Sequence, residues 1–504
     1  MRRFLATLTI LLTTLAFASC GVTTTAATTA TTVPTTAATT TTLEALSVPA
    51  NLAVSDNAVT FDPVDGASRY RIRLSQGETI VGEWFVASGF DLSLLADYGA
   101  YDLQIKAVAG TGFADSPFGE KIAVELVDPN ATDVLEGETL NDFTMIRWIG
   151  RTWYDALTSR RYFWNTASGF TVTFRGTELK ATFLASDSGV VSRRAHLVVL
   201  LDGEEDPTKG TTIVLDQMQT ECVLAEGLED GLHTVKVLKR SEAQDSDTAV
   251  VRVVTDGSFA TPDPVKDFKI QYIGASTSVG YGDLGPSSAV KNTENSDGLL
   301  CFTYLTSYLL DAETSIFASS GWGLTRGWNT GGQASATQTI PAAYEYFATN
   351  SQNVVFTAAG QWDHSDYDPD VIVIALGGND FSSSNYASLS ADQQALFREA
   401  VTDALVAFVT TLRAYHPDTY IVLVYGLMSE AQYVQNVSID AAARAALEFD
   451  RISSLKVAGA GSDGAPLGAN WHPNVDTYIK AAGQLADHIS ALTGREVVRE
   501  DIVY

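Results

Sequence analysis

The stretch Lys269-Ile270-Gln271-Tyr272-Ile273-Gly274-Ala275-Ser276-Thr277-Ser278 reads as a buried strand that ends abruptly on a serine. Phe268, Ile270, Tyr272 and Ile273 form a short apolar run, and Gly274 and Ala275 then remove side-chain bulk so that Ser276 stands open at the strand's C-terminal end. In open α/β sheets that end is where ligands bind. Ser276 is therefore a candidate nucleophile, although Gly and Ser also close strands for turn reasons alone.

Three further segments carry chemistry-bearing residues in loops. Ser320-Gly321-Trp322-Gly323 follows the apolar Ile316-Phe317-Ala318, Gly377-Gly378-Asn379-Asp380 follows the β-like run Val371 to Leu376, and Trp471-His472-Pro473 lies near the C-terminus. Strands are expected at 354–356, 371–376 and 420–425, and helices at 298–310, 391–415, 439–453 and 475–492. Continuous apolar strands alternating with helices predict a parallel sheet covered on both faces.

This spaced set of Ser, Gly, Asn and His resembles the SGNH hydrolases. The segments Ile273 to Gly282 (Ile-Gly-x-Ser-x-x-x-Gly-Tyr-Gly) and Trp471 to Asn474 (Trp-His-Pro-Asn) are similar to carbohydrate esterase family 2. The resemblance implies a flavodoxin-like three-layer α/β domain and hydrolysis of sugar esters by Ser276 with His472 as base. Among the six histidines, His196 and His233 fall in a β-rich region, His488 lies mid-helix, and His364 and His416 lie at the edge opposite the strand C-termini. Only His472 sits in a loop entering a helix, where it can face Ser276. The resemblance further implies an oxyanion hole made by the backbone N–H of Ser276, the backbone N–H of Gly321 and the side-chain amide of Asn379. Trp322, Trp471 and Asp380 are the candidate substrate-binding residues.

Two departures from the wider pattern stand out. Ala275 replaces the usual Asp before the nucleophile, and Ala469 stands three residues before the histidine, where a triad acid is usual. A Ser-His dyad is expected, with a backbone carbonyl orienting the imidazole.

The 504 residues exceed one ordinary core, so about two to four domains are expected. With 60 acidic against 32 basic residues the net charge is −28, which disfavours nucleic acid and anionic lipid surfaces and suits a neutral substrate. Residues 1–20 read as an export signal, with Arg2 and Arg3 before an apolar core and Ala18-Ser19-Cys20 at the processing site. The cysteine resembles a lipoprotein box, which implies acylation of Cys20. Residues 21–45, almost all Thr and Ala, read as a disordered tether able to reach about 80 Å when stretched. The other two of the three cysteines, Cys222 and Cys301, fall in different expected domains and read as small buried hydrophobes.

Residues 46–129 show period-two alternation in Tyr70-Arg71-Ile72-Arg73-Leu74 and Tyr101 to Val108, and resemble a fibronectin type III β-sandwich. Residues 138–260 alternate again in Phe170 to Phe174 and Gly231 to Leu238, which suggests a jelly-roll sandwich similar to the N-terminal domain of the family 2 esterases. Trp148, Trp153 and Trp164 in it are expected mostly in the core. Residues 261–504 would be the SGNH domain. The expectation is a monomeric, cofactor-free and metal-free esterase at the outer cell surface. It acts on acetylated polysaccharide or oligosaccharide, touches the membrane only through the lipid on Cys20, and uses no nucleic acid. Two alternatives stay open: a glycan-binding surface lipoprotein with weakened catalysis, and a general lipase-like esterase.

Overall fold

The computed structural model describes residues 43–126 apart from 56, 78, 97, 98, 111 and 112, and residues 139–140 and 145–504. The expected signal with Cys20, and the tether through residue 42, lie outside the described residues. No helix among the described residues is long and apolar enough to cross a membrane.

The chain divides into two compact units, residues 1–131 and 132–504. In the first, strands Thr79–Val86, Ala67–Gln76, Gly99–Ala109 and Ile122–Leu126 form one antiparallel sheet, and Ala53–Ser55, Ala58–Thr60 and Phe90–Asp91 form another. The alternation of Ile72 and Leu74 with Arg71 and Arg73 follows from the two-residue period of a strand. Ile72, Leu74, Leu103 and Ile105 are buried together, while Arg71 and Arg73 pair with Glu83 on the outer face.

The second unit opens with two antiparallel sheets of six strands each. One is centred on Thr248–Thr255 and Leu179–Ala185, the other on Gly231–Lys239 and Gly169–Gly176. Phe163, Phe170, Phe174, Phe183, Leu197 and Val235 are buried in a single core. Trp164 is buried and stacks with Tyr162 and the half-buried Trp153, so this aromatic row packs as part of the fold. Cys222 and Cys301 are both buried and unpaired, and burial raises their thiols to about 11 and about 12.

The rest of the unit is a parallel five-stranded sheet ordered Glu313–Ala318, Lys269–Gly274, Val371–Ala375, Tyr420–Tyr425, Ile452–Lys456. Helices Phe302–Leu309 and Val475–Thr493 share one apolar core with the sheet, and Ala391–Tyr415 with Gln432–Ala445 share another. In chain order the strands run 2-1-3-4-5, so the first strand lies between the second and third. The loops after those three strands therefore meet at one place on the sheet's C-terminal edge.

Two expected elements differ. Residues 354–356 form no strand, only a bridge between Thr349 and Val355, because the chain there runs as a loop across Trp164. The third expected helix spans Gln432–Ala445 and is followed by the edge strand Ile452–Lys456. That strand is half-buried along Ile-Ser-Ser-Leu, so it lacks the continuous apolar run that marks the central strands.

The β-sandwich of this unit is joined to the α/β part by buried polar contacts. Arg151 is 1% exposed, stacks on Tyr344 and Phe317, and donates from Nη1 to the carbonyls of Tyr344 and Tyr346 at 2.7 Å each. Burial lowers its pKa to about 10, so it stays charged at neutral pH. Arg147 adds an ion pair to Glu313 at 3.0 Å.

Candidate functional site

The first parallel strand stops at Gly274, and Ser276 begins a single helical turn through Ser278. Glycine at 274 is dictated by space, since a Cβ there would lie 2.0 Å from the Ser278 hydroxyl. The turn leaves the Ser276 side chain at the open edge of the sheet, where its Oγ lies 2.9 Å from His472 Nε2.

His472 comes from the loop before helix Val475–Thr493, and three features hold it. Asn470 and Trp471 both adopt left-handed backbone, at φ 52 and 65. Such conformations cost non-glycine residues about 1–2 kcal/mol each and persist only where the surroundings over-determine them. Here they turn the Asn470 carbonyl toward His472 Nδ1 at 3.1 Å. Secondly, Gly282 leaves room for this loop: Ala469 N–H donates to the Gly282 carbonyl at 2.7 Å, and a Cβ at 282 would meet Ala469 Cβ at 2.6 Å. Thirdly, the Tyr281 ring covers the imidazole with centroids 4.3 Å apart.

The same crowding explains the missing acid. Ala469 is fully buried against Gly282, so its methyl already fills the space that a carboxylate would need. With Nδ1–H donating to a carbonyl, Nε2 is left as the acceptor for the Ser276 hydroxyl. Burial holds the imidazole pKa below the ordinary 6.5, partly opposed by the Asn470 carbonyl and the charge of Glu242. The ring is thus neutral and basic at neutral pH.

Gly321 and Asn379 follow the second and third strands. Asn379 Nδ2 donates to the Trp322 carbonyl at 2.8 Å, which fixes the amide and leaves its second N–H at the cavity. The Gly321 carbonyl accepts from Trp328 N–H at 2.7 Å, and among the described residues the Gly321 N–H has no hydrogen-bond partner. Ser276, Gly321, Asn379 and His472 line one cavity of about 1160 Å³ between the β-sandwich and the α/β part. Beside the rings of Tyr281 and Trp328 its walls are polar, with Asp187, Arg193 and Gln244 from the sandwich and Asn329, Asn353 and Asn470 from the α/β part.

Two matches to family models divide this unit at the same place. Residues 148–264 match the carbohydrate esterase 2 N-terminal domain, and residues 270–485 match the GDSL-like lipase/acylhydrolase domain. This chain is an SGNH protein of the carbohydrate esterase family 2 type. It is 27% identical over 278 residues to an acetylxylan esterase / glucomannan deacetylase of Cellvibrio japonicus, covering 53% of this chain and 72% of the relative. Among solved structures, a family two carbohydrate esterase of Cellvibrio japonicus superposes with TM-score 0.59 at 22% identity, covering 70% of this chain and 97% of that one. One from Clostridium thermocellum in complex with cellohexaose gives TM-score 0.59 at 22% identity, covering 69% and 99%.

Within the family 2 frame, three sequence expectations change. Trp322 is not a wall of the polar cavity: it is fully buried, with its indole N–H on Asn353 at 2.7 Å, and it lines only a second cavity that opens on Ser276. Asp380 does not face that cavity either. It is 0% exposed, and its carboxylate accepts from the N–H groups of Leu324, Thr325 and Arg326 at 2.9, 2.7 and 3.2 Å. An acid next to Asn379 is needed there because the loop carrying Gly321 turns back with unpaired amides. Trp471 is 65% exposed and lines neither of the two cavities that meet at Ser276. The exposed indole at the site is Trp328, 62% exposed, which lines both cavities.

Sequence reasoning also passed over the sandwich loop 240–247. Glu242, 3% exposed, accepts from the Ser320 N–H at 3.2 Å, and Gln244 Nε2 donates to the Ser319 hydroxyl and the Ser320 carbonyl at 2.7 Å each. Lys291 bridges Glu242 and Asp245 at 3.0 and 2.5 Å. Burial disfavours the Glu242 charge, yet Lys291 and Ser320 hold its pKa below the ordinary value. No periodicity marks a loop residue that acts on another domain.

Proposed function

We propose that the chain is a serine esterase that removes O-acetyl groups from polysaccharide, of the acetyl-xylan or mannan kind. The observation that carries this is the 2.9 Å contact between Ser276 Oγ and His472 Nε2 at the mouth of a polar cavity. Hydrolysis runs in two halves. Ser276 Oγ attacks the ester carbonyl while His472 takes its proton and returns it to the departing sugar oxygen. Water then attacks the acetyl-Ser276 ester, again through His472, and acetate leaves. The oxyanion of each tetrahedral intermediate is held by the Ser276 and Gly321 amides and by Asn379. The Asn470 carbonyl keeps the imidazole tautomer and supports the imidazolium formed at each step. Polar residues around the cavity suit a hydroxyl-rich leaving group, and the Cellvibrio japonicus relative is named for the same class of reaction.

In this reading residues 1–20 are the signal, Cys20 carries the lipid, and the expected tether of residues 21–45 holds the enzyme outside the cell membrane as a monomer, shortened at its end because Glu44 to Leu46 pair with Ala114. Residues 46–129 are a fibronectin type III-like spacer, residues 138–260 the jelly-roll part of the esterase, and residues 261–504 the catalytic domain. Acetate release from acetylated xylan or glucomannan, wild type beside Ser276→Ala, tests the activity. Retention of glycan with no acetate from either protein would favour a binding protein instead. Radiolabelled fatty acid incorporated by wild type but not by Cys20→Ala tests the anchor.

A further inference from the structure

A second cavity, of about 600 Å³, opens on the same serine. It shares Ser276, His472, Asn379 and Trp328 with the polar cleft, so an ester carbonyl held at Ser276 stands between the two. The polar cleft takes the hydroxyl-rich alcohol arm. The acyl arm, on the far side of the carbonyl, then points into the second cavity. Leu376, Val424, Leu427, Met428, Tyr433 and Val434 give its lining an apolar majority, with Glu430 and Gln435 as polar groups on the same wall. Val424, on the strand Tyr420–Tyr425, and Leu427, in the turn after it, are each 2% exposed, so the floor is packed. Met428 adds an adaptable side chain. The methyl of an acetyl group needs on the order of 30 Å³, about the share of one water. An acetyl methyl therefore fills only a small part of the space available.

We propose that this cavity is an acyl-binding site and that the enzyme also hydrolyses sugar esters of apolar acids of about four carbons or more, aliphatic or aromatic. The proposal rests on the esterase reading above. The bonds made and broken are the same: Ser276 Oγ forms the acyl ester, its proton passes through His472 to the sugar oxygen, and water releases the free acid. The acyl tail stays in the apolar cavity through both halves.

The test keeps the alcohol constant. Acid release is followed from methyl glucoside carrying a 6-O-acetyl, butanoyl, hexanoyl or benzoyl group, with wild type and Val434→Phe. Each buried methylene raises kcat/KM about fourfold from acetyl to butanoyl. Val434→Phe narrows the cavity from helix Gln432–Ala445 and lowers the butanoyl-to-acetyl ratio about tenfold or more. Should that variant fail to fold, Ala431→Phe, an exposed position on the same cavity, serves for the same ratio. A wild type that cleaves acetyl but falls a hundredfold on butanoyl overturns the acyl site and leaves the esterase intact. A folded variant with an unmoved ratio overturns it too. No acid from any of the four esters removes the esterase reading along with it.

Discussion

Glu242 offers the sharpest test of how the β-sandwich serves the reaction. Its carboxylate binds the Ser320 N–H, one residue before the Gly321 amide that faces the oxyanion, and its charge favours protonation of His472. Glu242→Ala removes both effects. A hydrogen bond to a charged group contributes about 1.5–3 kcal/mol, and the freed Ser320–Gly321 peptide can swing away from the oxyanion. Loss of one oxyanion donor costs about 10²- to 10³-fold in kcat, so the expected fall is on the order of 10²-fold with KM little changed. Glu242→Gln separates the effects, because the amide oxygen still accepts from Ser320 while the charge is gone. Its kcat falls about tenfold or less. The charge of Glu242 raises the His472 pKa, so in both variants the acid limb of kcat/KM moves to lower pH than in wild type, whose own limb already lies below 6.5. The assay is acetate release between pH 4 and 8, with thermal melting alongside. A Glu242→Ala enzyme with wild-type kcat and an unmoved acid limb, at equal Tm, would refute the argument.

Gly282→Ala should act on the base through packing: its Cβ meets Ala469 at 2.6 Å at a φ of +66, so the His472 loop is displaced and kcat falls about 10²-fold with the fold retained, as circular dichroism would report. Arg151→Met leaves the Tyr344 and Tyr346 carbonyls unpaired and should destabilise the second unit by about 3 kcal/mol, read from its denaturant midpoint. Asp283→Asn should stabilise, and increasingly so as pH rises from 4 to 8. Burial and then the charge of Asp297 raise the Asp283 pKa well above 3.8, so its ionisation costs folding free energy once the pH passes the unfolded value. A melting temperature for Asp283→Asn that parallels wild type across that range would contradict this.

How far the site could be read in advance varies residue by residue, for identifiable reasons. Ser276, Gly321 and Asn379 each follow an apolar strand directly, and a run of buried residues reports its own end. His472 was reachable by elimination because a loop entering a helix at the sheet's C-terminal edge leaves few candidates. The burial of Trp322 is not legible, since an aromatic beside a catalytic glycine looks the same in sequence whether it points to solvent or to the core. It is buried because the loop after Ala318 folds back over helix Ile340–Tyr344, whose Tyr344 and Ile340 are fully buried with it. The place of Asp380 is hidden for a related reason: its carboxylate accepts from backbone N–H groups of a loop 54 to 56 residues earlier, and sequence spacing carries no trace of that pairing.

Local order, then, was written in the chain itself: where strands stop, which loops carry Ser, Gly, Asn and His, and that two β-rich segments precede an α/β one. Hydrophobic periodicity records burial along one element, and these features need nothing more. Which loops touch required the folded molecule. The pressing of Ala469 onto Gly282, the Asn470 carbonyl on the imidazole, the reach of Glu242 across a domain boundary and the apolar space beside Ser276 arise from how finished elements pack. Close approach between distant segments depends on angles and volumes that no single segment encodes.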